Sequence, residues 1–184
     1  GRLDADSTGL ILLTDDGELA NRLTHPRYGV NKQYQVSVRG KLESGDLEKL
    51  KRGLFLAAPP TKPADERRES AGSSASPGPP GSPSGGRASK GRAKRASVES
   101  VRIVGFEKDR ARGDRTSLAI TLREGQNREI RRLMAALGYK VRRLKRTAIG
   151  PMKLTGLGAG QWRPLEAKEV QTLYREAGLK PKQT

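Results

Sequence analysis

Residues 59–97 separate two segments that contain nearly all of the large apolar residues of the chain, so these two segments have to supply the hydrophobic core together. This segment holds seven of the eleven prolines, eight serines and six glycines, and almost no apolar side chain larger than alanine. Such a composition cannot bury enough surface to offset the chain entropy lost on folding. We therefore predict a disordered insertion between two parts of one domain, residues 1–58 and 98–177, with a tail at 178–184.

The chain is strongly basic, and the excess charge is not confined to the insertion. Its 184 residues include 37 Lys and Arg against 20 Asp and Glu, which gives a net charge of +17. The insertion holds eight of these cations and three of the acids, so it contributes +5 and leaves +12 on the rest. This balance favours a polyanionic partner, with nucleic acid as the first candidate and an anionic membrane surface as the second.

Residue usage excludes several classes of site. The chain has no cysteine, so disulfides, thiolate zinc sites and a cysteine nucleophile are excluded. His25 is the single histidine, which argues against a metal site built from histidines. The longest apolar runs, 54–58 and 133–137, are far shorter than the roughly 18–20 residues that span a bilayer. We expect a soluble, cytoplasmic monomer that uses neither metal nor membrane.

The hydrophobic periodicity predicts an α+β fold with a mixed, mostly antiparallel sheet and flanking helices. The alternation is clearest over Lys32–Arg39, where Tyr34 and two valines share one face. We predict Trp162 to be a core residue. The predicted strands are 9–14 (buried), 32–39, 54–56, 98–107, 116–123 and 141–149, and the predicted helices are 16–25, one around 46–50, 127–137 and 166–176.

Two motifs carry candidate chemistry. The run Arg2-Leu3-Asp4 precedes a short apolar stretch, which places a carboxylate at the rim of a core strand as a candidate nucleophile or base. Far downstream, Arg128, Arg131 and Arg132 crowd the start of a predicted helix, with Arg131 at the edge of its apolar stripe. A guanidinium within about 4–6 Å of a carboxylate favours the ionised form. The two motifs therefore indicate a catalytic acid and its cationic partner. The alternative interpretation is that the three arginines form a solvated or RNA-binding face of the helix.

Other polar residues have simpler interpretations. Tyr34 lies on a strand face with valines, which by itself indicates a core tyrosine. A tyrosine whose ring packs while its hydroxyl reaches a site is also suited to stacking on a base. His25 precedes a proline and is predicted to cap or form a loop, and Asp6, Asp15 and Asp16 are interpreted as turn and N-cap residues.

Taken in order along the chain, these motifs resemble the RsuA-like pseudouridine synthases, which isomerise single uridines in ribosomal RNA. The resemblance covers residues 1–56 and 98–177. The matching motifs are residues 1–17, His25-Pro26, 32–36, 124–134, 141–146, 149–151 and 160–165.

The resemblance implies roles for individual residues. Asp4 corresponds to the catalytic aspartate, Arg131 to its ion-pair partner and Tyr34 to the aromatic residue lining the uracil pocket. Arg2 corresponds to a residue that helps displace the uridine from its stack. A uridine within folded RNA has to be flipped into a pocket before its glycosidic bond can be reached. The reaction is an isomerisation, so no cofactor is required.

The same resemblance extends to the RNA contacts. Asn127, Arg128 and Arg132 are expected to bind RNA, and the partner is ribosomal RNA of the 23S or 16S type. The family's usual N-terminal S4-like domain and the strands that precede the Asp4 motif lie outside this sequence, so we expect an N-terminally truncated chain. The alternative function is a non-catalytic, basic RNA-binding or ribosome-assembly module with the same fold.

Overall fold

The structure is a computed structural model that describes residues 1–56, 94–111, 113–123 and 125–180. The strands in these ranges are β1 (Thr8–Gly9), β2 (Lys32–Arg39), β3 (Leu54–Leu56), β4 (Lys94–Ala96), β5 (Ser100–Glu107), β6 (Arg115–Leu122), β7 (Val141–Ile149) and β8 (Met152–Lys153). The helices are α1 (Gly17–Thr24), α2 (Ser44–Arg52), α3 (Glu129–Ala136) and α4 (Ala167–Glu176), with a 3-10 turn at Pro26–Tyr28.

Six of these strands form one sheet, in the order β1-β7-β2-β6-β5 with β8 beside β7. The β1–β7 pairing is parallel, whereas β2, β5, β6 and β8 pair with their neighbours in antiparallel fashion. The predicted class, an α+β fold with a mixed, mostly antiparallel sheet, is therefore confirmed. Strands β3 and β4 form a separate two-stranded sheet.

The main core lies on one face of the sheet, beneath α2 and α3. The alternation along β2 places Val36 and Val38 fully inside, while their neighbours on the strand face outward. Each fully buried aliphatic side chain contributes about 1.5–3 kcal/mol relative to its exposed state. The other large side chains that are fully buried in this cluster are Leu50, Leu118, Ile120, Leu133 and Met134.

A second apolar cluster joins α1 and α4 to the end of β7. Leu19 and Leu23 of α1 pack here with Ile149 and Leu173. Asp16 caps α1 by accepting a hydrogen bond from the Leu19 amide at 3.0 Å, and the Tyr174 hydroxyl of α4 donates to the same carboxylate. This cluster anchors the residues that follow the Asp4 motif.

Two predictions of buried residues are wrong. Only Thr8 and Gly9 of the opening motif pair with β7, and the predicted buried strand over 9–14 leaves Leu13 89% exposed. A short apolar run does not by itself distinguish a buried strand from a segment lining a groove. Trp162 is 81% exposed, since it lies in the irregular connection between β8 and α4 rather than on a periodic element.

Strand β4 begins at Lys94, within the predicted insertion of residues 59–97. Strand β4 pairs with β3 and places Ala96 in the core, so the prediction of disorder is wrong at this end of the segment. Residues 59–93 lie outside the described residues, as do 181–184 of the predicted tail. Leu179 packs against the second cluster. No helix in the described ranges is long and apolar enough to cross a membrane.

Candidate active site

A cavity of about 830 Å³ lies where the opening motif, β2 and the start of α3 meet. Five of the seven residues predicted for the site line this cavity, and Arg131 and Arg132 are not among its lining residues. The five are Arg2, Asp4, Tyr34, Asn127 and Arg128. The fold thus brings together side chains that are separated by more than a hundred residues in sequence.

The sheet order explains this convergence. Strand β1 follows the Asp4 motif and pairs in parallel with β7, which in turn pairs with β2. The Asp4 motif therefore lies close to β7 and one strand away from β2. In the β2–β7 pairing Tyr34 lies directly opposite Arg146. Tyr34 therefore lines the cavity from the side of β2, and the opening motif lines it from the opposite side.

Tyr34 combines a packed ring with a neutral hydroxyl. It packs against the main core and is partly buried. Burial raises the pKa of Tyr34, the positive charge of Arg146 opposes this shift, and the nearby carboxylates of Glu129 and Asp4 add to it. The hydroxyl consequently keeps its proton at neutral pH and can act as a hydrogen-bond donor in the cavity.

The predicted ion pair between Asp4 and Arg131 is wrong. Arg131 Nε lies 3.2 Å from Asp6 Oδ2, and its Nη2 donates to the Asp6 carbonyl oxygen at 2.6 Å. A turn closed by the Ser7 amide on the Asp4 carbonyl, at 2.9 Å, carries Asp6 over the start of α3. Asp4 stays on the cavity side of this turn and forms no ion pair within the described part of the chain.

Arg128 binds the same acid. Its Nη1 and Nη2 donate to Asp6 Oδ1 and Oδ2 at 3.0 and 2.9 Å, a bidentate geometry. Arg128 is also the one non-glycine residue with positive φ in the described ranges, at 49°. Because a side chain disfavours that conformation, the pair with Asp6 helps to hold Arg128 there. Asp6, interpreted from sequence as a turn residue, is thus also the anchor of both arginines.

Three buried charged residues that had no role assigned from sequence form the floor of the cavity. Lys32, Glu129 and Arg146 are 7%, 4% and 5% exposed. Burial lowers the pKa of Lys32, the charge of Arg146 acts in the same direction, and Glu129 opposes both. The sequence contains a pattern that could have identified two of them. Lys32 and Arg146 occupy the core-facing positions of their strands, where the alternation predicts apolar residues.

The rest of the described surface has fewer groups that could take part in catalysis. A larger groove of about 1230 Å³ is lined mainly by apolar side chains and contains none of the seven predicted site residues. Within the described ranges, no group of three or more His, Cys, Asp or Glu side chains is placed to hold a metal ion. The smaller, polar cavity is therefore the candidate active site.

The sequence of the chain matches a family model described as RNA pseudouridylate synthase over residues 1–136. The chain belongs to this family. It is 37% identical over 180 residues to an uncharacterized RNA pseudouridine synthase of Aquifex aeolicus, covering 98% of this chain and 56% of that protein. It is also 37% identical over 171 residues to a ribosomal large subunit pseudouridine synthase E of Xanthomonas campestris, covering 93% and 78% of the two chains.

Two further comparisons agree with the family assignment. A ribosomal large subunit pseudouridine synthase B of Pseudomonas aeruginosa is 34% identical over 182 residues, which is 98% of this chain and 37% of that protein. A solved pseudouridylate synthase superposes with a TM-score of 0.66 at 27% identity, over 94% of this chain and 57% of that one. These findings confirm the resemblance to the RsuA-like synthases. The chain spans about half the length of the first relatives it matches.

Proposed function

We propose that this chain carries the catalytic site of a ribosomal RNA pseudouridine synthase, with a uridine of large-subunit RNA as its substrate. The observation that carries the proposal is the cavity in which Asp4 faces Tyr34. The family assignment supports the reaction, and the names of the Xanthomonas and Pseudomonas relatives support large-subunit RNA as the substrate.

The reaction rearranges bonds within one nucleotide. The bond between uracil N1 and ribose C1′ breaks, the base turns within the cavity, and C5 bonds to C1′. The proton on C5 is lost and N1 gains one, so atoms and charge balance without an oxidant, a reductant or a second substrate. The protein has to supply a carboxylate beside the sugar, a surface that holds the detached base, and groups that keep the nucleotide flipped.

The described residues divide into these roles. Asp4 supplies the carboxylate, and the ring of Tyr34 provides an apolar surface for the uracil while its neutral hydroxyl donates a hydrogen bond. Arg2, Asn127 and Arg128 line the same cavity with their side chains more exposed, and we assign them to RNA phosphates and to the flipped nucleotide. Asp6 holds Arg128 and Arg131 in place.

The substitution Asp4→Asn in the full-length protein tests the proposal. It removes the carboxylate while keeping its shape, so tritium release from ribosomal RNA labelled at uridine C5 should fall by more than about 1000-fold. RNA affinity should stay within about twofold, since the rim cations are unchanged. Asp15→Asn, an exposed acid of the same opening motif, is the matched control and should keep full activity.

Two results contradict the proposal. Undiminished tritium release by Asp4→Asn would remove Asp4 from the chemistry. If the unaltered protein releases no tritium from any ribosomal RNA, the alternative of a basic RNA-binding module with the same fold takes its place. We further propose that the protein acts as a monomer, because the side chains of a single chain line the cavity. The proposed ribosomal RNA substrate, which the names of the relatives support, favours the cytoplasm as the location of this activity.

A further inference from the structure

Arg146 contacts the opening motif on both sides of Asp4. We propose that Arg146 is a positioning residue of the reaction, which holds the Asp4 loop at a fixed distance from Tyr34. The inference rests on the proposed function and concerns a residue that the sequence motifs did not single out for a role. Its starting point is a buried guanidinium on β7, directly opposite Tyr34.

The hydrogen bonds of the side chain define this role. Arg146 Nε donates to the Leu10 carbonyl oxygen at 2.8 Å, and its Nη1 donates to the Arg2 carbonyl oxygen at 3.4 Å. Arg2 and Leu10 lie on either side of the loop that carries Asp4. One planar group therefore fixes both ends of the loop, which a lysine with a single nitrogen cannot do.

The main chain of Arg146 supports the same loop. The Leu10 amide donates to the Arg146 carbonyl oxygen at 2.9 Å, and Gly9 pairs with Arg146 in the β1–β7 register. A Cβ atom on Gly9 would lie 2.2 Å from the Arg146 carbonyl oxygen. The loop is thus seated on Arg146 through its side chain and its backbone together.

The other side of Arg146 faces the aromatic residue of the site. Its positive charge acts on the Tyr34 hydroxyl, lowering a pKa that burial raises. A side-chain hydrogen-bond interaction with Arg146 lowers the same pKa, so the guanidinium and the Tyr34 hydroxyl approach each other in the wall of the cavity. Arg146 therefore links the backbone of the Asp4 loop to the side chain of Tyr34, and it lies in the interior rather than at the rim of the cavity.

The test compares Arg146→Lys and Arg146→Gln with Arg143→Lys in the full-length protein. Arg143 is an exposed arginine on the same strand and belongs to no part of the site. For each variant, kcat and KM are measured by tritium release well below its melting temperature, and RNA affinity is measured in an Asp4→Asn background. Arg146→Lys keeps the charge, so it separates the geometry of the guanidinium from its electrostatics.

We expect Arg146→Lys to lower kcat by about 10- to 100-fold, because a displacement of about 1 Å at a reacting group has a cost of that size. KM and RNA affinity should stay within about twofold, and Arg143→Lys should match the unaltered protein. Arg146→Gln should lose at least as much activity as Arg146→Lys. A structural role alone would lower the melting temperature and leave kcat of the folded protein unchanged.

Three results overturn the inference. They are an unchanged kcat in Arg146→Lys, a raised KM with kcat unchanged, and failure of both Arg146 variants to fold, which would make Arg146 a structural residue. Absence of tritium release by the unaltered protein is a different result, because it rejects the proposed function itself. An active protein whose Arg146→Lys and Arg143→Lys variants behave alike rejects only the inference about Arg146.

Discussion

Asp6 receives two parallel hydrogen bonds from Arg128, at 3.0 and 2.9 Å, although 122 positions separate the two residues in sequence. Arg131 approaches the same carboxylate at 3.2 Å. One acid therefore docks the opening motif onto the start of α3 and leaves the neighbouring Asp4 free to face the cavity. The two acids of the motif have separate tasks, one in architecture and one in the proposed chemistry.

The docking by Asp6 should weaken in acid. The hydrogen bond from Arg128 lowers the pKa of Asp6 below its usual 3.8. The contribution of Asp6 is therefore present above pH 4 and is lost as the pH falls through the lowered pKa. Asp6→Asn should reduce the melting temperature at pH 7 and make it less sensitive to pH below 4. Melting curves from pH 2 to 7 test this prediction, with Asp15→Asn as the control; parallel curves for Asp6→Asn and the unaltered protein would contradict it.

Gly9 should not tolerate a side chain. Its φ is 114°, and a Cβ atom there would lie within 3 Å of three backbone atoms of Arg146. Gly9→Ala should lower the free energy of unfolding by at least about 2 kcal/mol, because it adds both backbone strain and a clash. Urea unfolding measures the change. Gly17→Ala is the matched control, because its Cβ would meet nothing within 4 Å at the start of α1, and it should be neutral or stabilising by up to about 1 kcal/mol. Equal stabilities would contradict the prediction.

Thr116 should be needed for its hydroxyl rather than for its shape. This buried residue of β6 accepts a hydrogen bond from the Leu42 amide at 3.0 Å and donates to the Gly40 carbonyl oxygen at 2.7 Å. Thr116→Val leaves both backbone groups without this partner, so we expect a loss of about 1–3 kcal/mol in the free energy of unfolding. Thr121→Val, on the outward face of the same strand, should change it by less than about 0.5 kcal/mol. Thr116→Ser should retain most of the stability; if it is as unstable as Thr116→Val, packing is responsible.

Strands β2 and β7 could be predicted to the residue because each combines a clear pattern with a turn at its end. The segment over 9–14 could not, since an apolar run does not say whether a second strand pairs with it. The five cavity residues were predicted through the resemblance to a family, and helical spacing placed Arg131 at the edge of a stripe. Spacing on one helix cannot identify a partner more than a hundred residues away.

The partner of Arg131 depends on a turn of four residues that places Asp6, and not Asp4, over α3. Sequence marks Asp6 as a turn residue without saying which way its side chain faces.

Arg146 is a different case. Its position in the alternation of β7 assigns it to the interior, and a charged residue at such a position needs partners. Sequence alone could therefore have marked Arg146 as a candidate, but not the carbonyl groups that it binds.

The pairing of Tyr139 with Asp46 should be visible in an alkaline titration. The Tyr139 hydroxyl donates to Asp46 Oδ2 at 2.8 Å, which connects the turn after α3 to α2. Burial, together with this hydrogen bond and the negative charge of Asp46, raises the pKa of Tyr139 to about 12. The proton is held more tightly in the folded state, so this contribution is present below pH 10 and is lost as the pH rises through about 12.

Absorbance at 295 nm should show a late tyrosinate step that Tyr139→Phe removes and that Asp46→Asn shifts towards pH 10. A late step that persists in Tyr139→Phe at full amplitude would assign it to another of the four tyrosines, such as Tyr34, whose pKa burial also raises.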